Sequence, residues 1–207
     1  MGEYNIWLMC YKMYKKTLFI FASLFILSSC FGGWADDNTT EVTGLDTFSN
    51  TKFVMWVPAS WDTITQFDDI LPTPYTGEIE LVSIAPESKK WVKNNLLVLS
   101  ETLDVFMTSS DLITSSQVRS KNDFYSYTQN QVKNISFSDG TSSILYVFEA
   151  QYNKDTPAYT FVQTARVCNA NKGFIMTITL PKNTRETQIY EQLLQTFSCI
   201  SQDTGEI

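Results

Sequence analysis

The chain of 207 residues contains no histidine. That removes the side chain most used as a general base near neutral pH, the commonest zinc ligand and the base of the usual Ser–His–Asp triad. A cysteine nucleophile would lack its imidazole partner for the same reason. Glycine is scarce, with eight residues, and none is spaced as a phosphate-cradling loop requires. Basic residues are also few, 15 against 22 acids, and their densest group is Lys89, Lys90 and Lys93. A nucleic-acid surface needs a far more concentrated positive footprint, so no nucleic-acid partner is expected. Long apolar runs are missing too. The main apolar run, TLFIFASLFIL from Thr17 to Leu27, is about half the roughly 20 residues that a bilayer-spanning helix needs.

What is present at that point has a different meaning. Lys15 and Lys16 precede the run, and Leu27-Ser28-Ser29-Cys30 follows it. A basic flank, a short apolar region and small residues before a cysteine resemble the lipobox of a bacterial lipoprotein signal peptide. Cleavage needs small side chains beside the bond, and the new terminal cysteine carries lipid on its sulfur. Residues 1–29 are therefore expected to be a signal peptide and Cys30 the lipidation site, bearing palmitate-type chains. Two or more such chains hold a protein stably on a membrane. An uncleaved anchor that ends in cysteine is the alternative. Residues 1–12 place an acid and aromatics ahead of the basic patch, so Met13 is the expected start. Phe31 follows Cys30, where an aspartate would mark inner-membrane retention. The expected location is thus extracytoplasmic, on the outer membrane of a cell that has two.

Residues 1–29 hold three lysines and one glutamate, so the remainder carries 12 basic and 21 acidic residues, net −9. That balance favours solubility. Cys10 precedes the cleavage point and Cys30 takes lipid, which leaves Cys168 and Cys199. Outside the cytoplasm they can form a disulfide. Its loop of about 30 residues would stabilise the fold by roughly 3–4 kcal/mol. Two buried free thiols are the alternative.

Along the chain, residues 30–50 show no period and read as a flexible tether. Residues 51–201 read as one domain and 202–207 as a disordered tail. Phe53–Val57, stopped by Pro58, has strand composition. Glu78–Ala85 alternates Ile79, Leu81 and Ser83 against Glu80, Val82 and Ile84, and Asn95–Leu103 is a further strand. Phe124, Tyr127 and Gln131, with Thr128 and Val132, fall on adjacent helical rows and predict an amphipathic helix over 120–134. Three alternating runs follow, 144–152, 158–168 and 174–180, joined by short turns, which is the pattern of an antiparallel meander. Asn183 or Thr184 can cap a last helix with Ile189, Leu193 and Phe197 in its buried stripe. Such a helix brings Cys199 to the end of the layer where Cys168 closes a strand. The fold class expected is α+β, an antiparallel meander sandwiched with helices.

The opening KFVMWVPASW, the middle NNLLVLSETL, the GFIMTITLP strand and the closing TFSCI together resemble a PsbP-like domain over residues 52–200. This is the fold of the extrinsic photosystem II subunit, shared in general form by DcrB-type envelope lipoproteins. The resemblance implies a non-enzymatic assembly or binding module. Photosynthetic members are associated with manganese and calcium, but no residue set here matches theirs, and no metal or cofactor is expected.

Few residues offer chemistry. Ser49-Asn50-Thr51-Lys52 matches the Ser-x-x-Lys acylation motif, but no Lys-Thr-Gly follows it. Asp36–Asp37, Asp68–Asp69 and Glu78/Glu80 are the nearest acid groups, and none has EF-hand spacing. Trp56 and Trp61 are expected to cover the core edge. Trp91, among Lys89, Lys90 and Lys93, is the candidate for an exposed contact residue. The reading favoured by the sequence is a lipid-anchored module that contacts another envelope protein. A ligand or glycan binder using exposed aromatics is the alternative, and a hydrolase built on serine or carboxylates ranks third.

Overall fold

The computed structural model describes residues 44–64, 77–86, 94–169 and 171–200. The first strands are β1 (Leu45–Ser49), β2 (Phe53–Pro58), β3 (Asp62–Ile64), β4 (Glu78–Ile84) and β5 (Asn95–Thr102). Then come helix α1 (Ser109–Asp123), strands β6 (Ser126–Ser136), β7 (Ser142–Gln151), β8 (Tyr159–Cys168) and β9 (Lys172–Pro181), helix α2 (Gln188–Gln195) and the short β10 (Ser198–Cys199). Seven strands form one sheet in the order β3-β4-β5-β9-β8-β7-β6, with every neighbouring pair antiparallel. A three-stranded sheet, β1-β2-β10, is separate.

Strand alternation sorts the core onto two faces of the large sheet. On one face Leu145, Val147, Val162, Phe174, Met176, Ile178 and Leu180 meet Phe53, Met55 and Val57 of the small sheet and Tyr190, Leu193 and Leu194 of α2. Phe197 stacks on Phe53 with centroids 4.8 Å apart, and Phe174 closes edge-on at 5.4 Å. On the other face Tyr146, Phe148, Ala150, Tyr159, Phe161 and Ala165 pack under α1 through Leu112 and Ile113. The architecture is thus an α+β meander packed against two helices.

Four sequence expectations need correction. The helix predicted over 120–134 lies at 109–123 instead, and 126–136 is strand β6. The cause is visible in the burial. The inward face of α1 carries Ser109, Ser116, Gln117 and Ser120 beside only two apolar residues, so its period is hidden. Strand β6 has one neighbour and is mostly exposed, so apolar alternation is not required of it. Its pairing with β7 also shifts between Gln129 and Gln131, which breaks the two-residue period. Second, the stretch read as tether contributes β1, whose five residues pair with β2. Third, Trp56 is 48% exposed, because β2 turns Phe53, Met55 and Val57 inward and leaves Trp56 outward. Trp61 is buried against Tyr190, as a core-edge tryptophan should be. Fourth, α2 begins later than its proposed caps. Thr187 is its N-cap residue, Asn183 takes a left-handed turn at φ 63°, and Ile189 faces solvent.

The alternation read in Glu78–Ala85 is also broken once. The β4–β5 register shifts between Ile79 and Leu81, so Ile79 joins Val82, Leu97 and Leu99 while Leu81 enters the other core face.

Candidate functional site

The chemistry-bearing residues fall into a few separate places. At one end of the large sheet, Cys168 at the close of β8 is bonded to Cys199 in β10, with Cα atoms 5.7 Å apart. The disulfide reading of the two cysteines therefore holds, and the free-thiol alternative does not. The bond ties the small sheet to the large one. Nearby, Lys52 donates to Glu80 at 2.5 Å and to Glu78 at 3.3 Å, and Ser100 Oγ donates to Glu80 as well. Partial burial opposes the Lys52 charge, but its two glutamates outweigh that and raise its pKa. The pair Glu78/Glu80 does share a strand face, and a lysine ammonium occupies the position between them. Among the described residues no three acidic or cysteine side chains gather as a metal site would.

At the opposite end lies a cleft of about 630 Å³. Its walls are Asn130 and Gln131 of β6, Val147 and Glu149 of β7, and the turn from Asn183 to Thr187 that leads into α2. Two local devices open it: the β6 register shift around Asn130 and the left-handed Asn183. Beside the cleft, Lys133 pairs with the buried Glu191, and Thr187 Oγ1 of the cleft wall donates to the other Glu191 oxygen at 2.8 Å. Its lining is amide, hydroxyl and mixed charge, with no aromatic ring.

A buried polar relay crosses the α1 layer. Tyr127 donates to Gln117 at 2.7 Å, Gln117 to Gln163 at 2.5 Å, and Gln163 to Thr177 at 2.8 Å. Burial, with the Tyr146 hydroxyl adding to it, pushes the Tyr127 phenol up to about 12. Each amide of the relay is satisfied, so it joins the helix to the sheet and leaves no reactive group idle.

Among the described residues the exposed large apolar side chains are Phe106 at 84% and its neighbour Val105 at 66%, Tyr125 at 66%, Val118, Trp56, Leu45, Val132 and Ile189. Sequence reasoning passed over Phe106. Its signal was an apolar pair between Asp104 and a Thr-x-x-Asp capping box, where a loop is expected to be polar. Cys30, Trp91, Met13, Asp36–Asp37 and Asp68–Asp69 lie outside the described residues.

Meander, two helices and small sheet together make this a PsbP-like fold. The solution structure of cyanobacterial PsbP (CyanoP) from Synechocystis sp. PCC 6803 aligns with a TM-score of 0.51 and 12% identity, over 84% of this chain and 99% of that one. At that identity the likeness is one of fold. A protein of unknown function from Pseudomonas aeruginosa, PA94, aligns more loosely, with a TM-score of 0.44 and 10% identity over 74% of this chain and 96% of that one. No family model matches the sequence, and no curated protein does.

Proposed function

We propose that the chain is a non-enzymatic, membrane-tethered binding module of a bacterial cell envelope. Residues 1–29 are removed, Cys30 is lipidated, and the segment up to residue 43 links the lipid to the PsbP-like domain. That domain docks on another envelope protein. The observation that carries this reading is the Cys168–Cys199 disulfide. Disulfides persist where the environment oxidises, and the lipobox at Leu27–Cys30 directs the chain to such a compartment. Two independent sequence features thus call for one location. The polar lining of the cleft and the apolar side chains that protrude elsewhere support binding more than catalysis.

The glycan reading has less support. It asks for a concave site with two or more exposed aromatics. The cleft is concave but has no ring in its lining, and Trp56, Phe106 and Tyr125 lie on other elements. Trp91 keeps its place as a candidate contact residue under either reading.

The test is crosslinking in intact cells followed by purification of the full chain, comparing wild type with Cys30→Ala. The expected result is a specific partner recovered with wild type and lost with the variant. Mass spectrometry of the wild-type protein should show an acylated N-terminal Cys30. A wild-type protein that retains residues 1–29 without acyl chains would overturn the anchoring.

A further inference from the structure

The loop between β5 and α1 presents two apolar side chains to solvent from a fixed base. Leu103 N–H donates to the Asn171 carbonyl at 2.7 Å, which holds the start of the loop to the β8–β9 turn. Val167 N–H donates to Ser109 Oγ at 2.9 Å, which holds its end to β8. A reciprocal capping box locks the helix entry: Asp111 N–H donates to Thr108 Oγ1, and Thr108 N–H to the Asp111 carboxylate. Met107 turns inward onto the α1 core. Between these ties Val105 and Phe106 stand outward.

Such an arrangement is unfavourable in isolation. A phenylalanine at 84% exposure keeps most of its apolar area in water, and burying it against a partner would be favourable. Because the base is already ordered, docking would cost little loop entropy. The charged residues flanking the tip in sequence are Asp104 and Asp111, both exposed. Hydrogen bonds from the Thr108 side chain and backbone hold Asp111 below the usual carboxylate range.

The tip also has a defined direction. Thr102 pairs with Lys172 at the disulfide end of the large sheet. The domain begins at the other end, where Leu45 pairs with Pro58 and Trp61 meets Tyr190. Ten residues of β9 separate those ends, about 33 Å at strand rise. A tether entering at Gly44 therefore leaves Phe106 on the side away from its attachment. Acidic flanks further disfavour an anionic lipid surface.

We propose that Val105 and Phe106 form a preformed anchor that inserts into an apolar pocket with a basic rim on a partner protein. This rests on the binding-module reading above and assigns the surface that serves it. The experiment is the same in-cell crosslinking with the full chain, carried out with wild type, Val105→Ser/Phe106→Ser, Asp104→Lys and, as a control for exposed apolar area, Val118→Ser. The purified variants are first checked for unchanged melting. The expected result is at least tenfold less of the wild-type partner with the double serine variant, a smaller loss with Asp104→Lys, and none with Val118→Ser. If the double variant recovers the partner as well as wild type does, the anchor is refuted and the binding module stands. If wild type itself recovers no partner, the broader reading fails with it. A membrane role would appear as Phe106-dependent sedimentation of the Cys30→Ala chain with phosphatidylcholine vesicles, and that result would also overturn the proposal.

Discussion

Replacing Cys168 and Cys199 together by alanine should lower stability by an amount that follows from chain length alone. The two residues are 31 apart in sequence. Closing such a loop removes about 12 cal/mol/K from the unfolded ensemble, or about 3.7 kcal/mol at 25 °C. For a domain of this size, where 1 kcal/mol moves the midpoint by about 2–4 °C, the melting temperature should fall by about 7–15 °C. The packing around the bond adds to that loss. Cys199 is half of β10, which pairs only through Ser198 and Cys199 with Val54 and Phe53. Once released, that strand has little to hold it beside the Phe53–Phe197 stack. The assay is calorimetric or circular-dichroism melting of both proteins, with and without reductant. Reductant should destabilise wild type toward the variant and leave the variant unchanged. A variant within 2 °C of oxidised wild type would refute the reasoning, as would one that reductant destabilises equally.

Gly77 has φ +81°, and a Cβ there would lie 2.1 Å from the Ser100 carbonyl oxygen. Gly77→Ala should cost at least about 2 kcal/mol in a urea titration, from left-handed strain and forced displacement of β5. Gln163→Ala leaves Gln117 and Thr177 short of a partner inside the protein and should cost about 2–3 kcal/mol, whereas Gln117→Leu/Gln163→Leu should recover part of that. Tyr127 titrates near 12 in the folded protein, and burial raises Tyr159 and Tyr190 as well. Their contribution is therefore fully present below about pH 10, where an unfolded tyrosine ionises, and is lost as pH rises through their raised folded values, about 12 for Tyr127. Denaturant midpoints measured across that window should fall, and Tyr127→Phe should flatten the fall.

How far the sequence reveals this fold depends on how many neighbours each element has. Strands β7, β8 and β9 are covered on both faces and paired on both edges, so Tyr146-Phe148-Ala150 and Phe174-Met176-Ile178 alternate in plain view. Strand β6 is paired on one edge and largely wet, and its residues answer to little beyond backbone pairing. Helix α1 is buried through serines and glutamines that bond to the sheet, so hydrophobicity alone misses it; the Thr108–Asp111 capping box was the readable mark. The cleft was not legible. It arises from a strand irregularity and a left-handed asparagine, which bring together 130–131, 147–149 and 183–187 without a motif. The cysteine pair was legible in its alternatives, and strand order decided between them.

The placement of β1 has a mechanical consequence. Leu45 opens the strand at the end where the domain begins, and Ser49 closes it toward the disulfide. A pull between residue 44 and the Phe106 end runs along the strand axis. The five β1–β2 pairings then carry the load in shear, all together, instead of opening one after another like a zipper. Behind them the disulfide clamps β10 to β8, so the share of load that β2 hands on through its two β10 pairings reaches a covalent crosslink. A domain strung this way resists tension along one direction far better than across it.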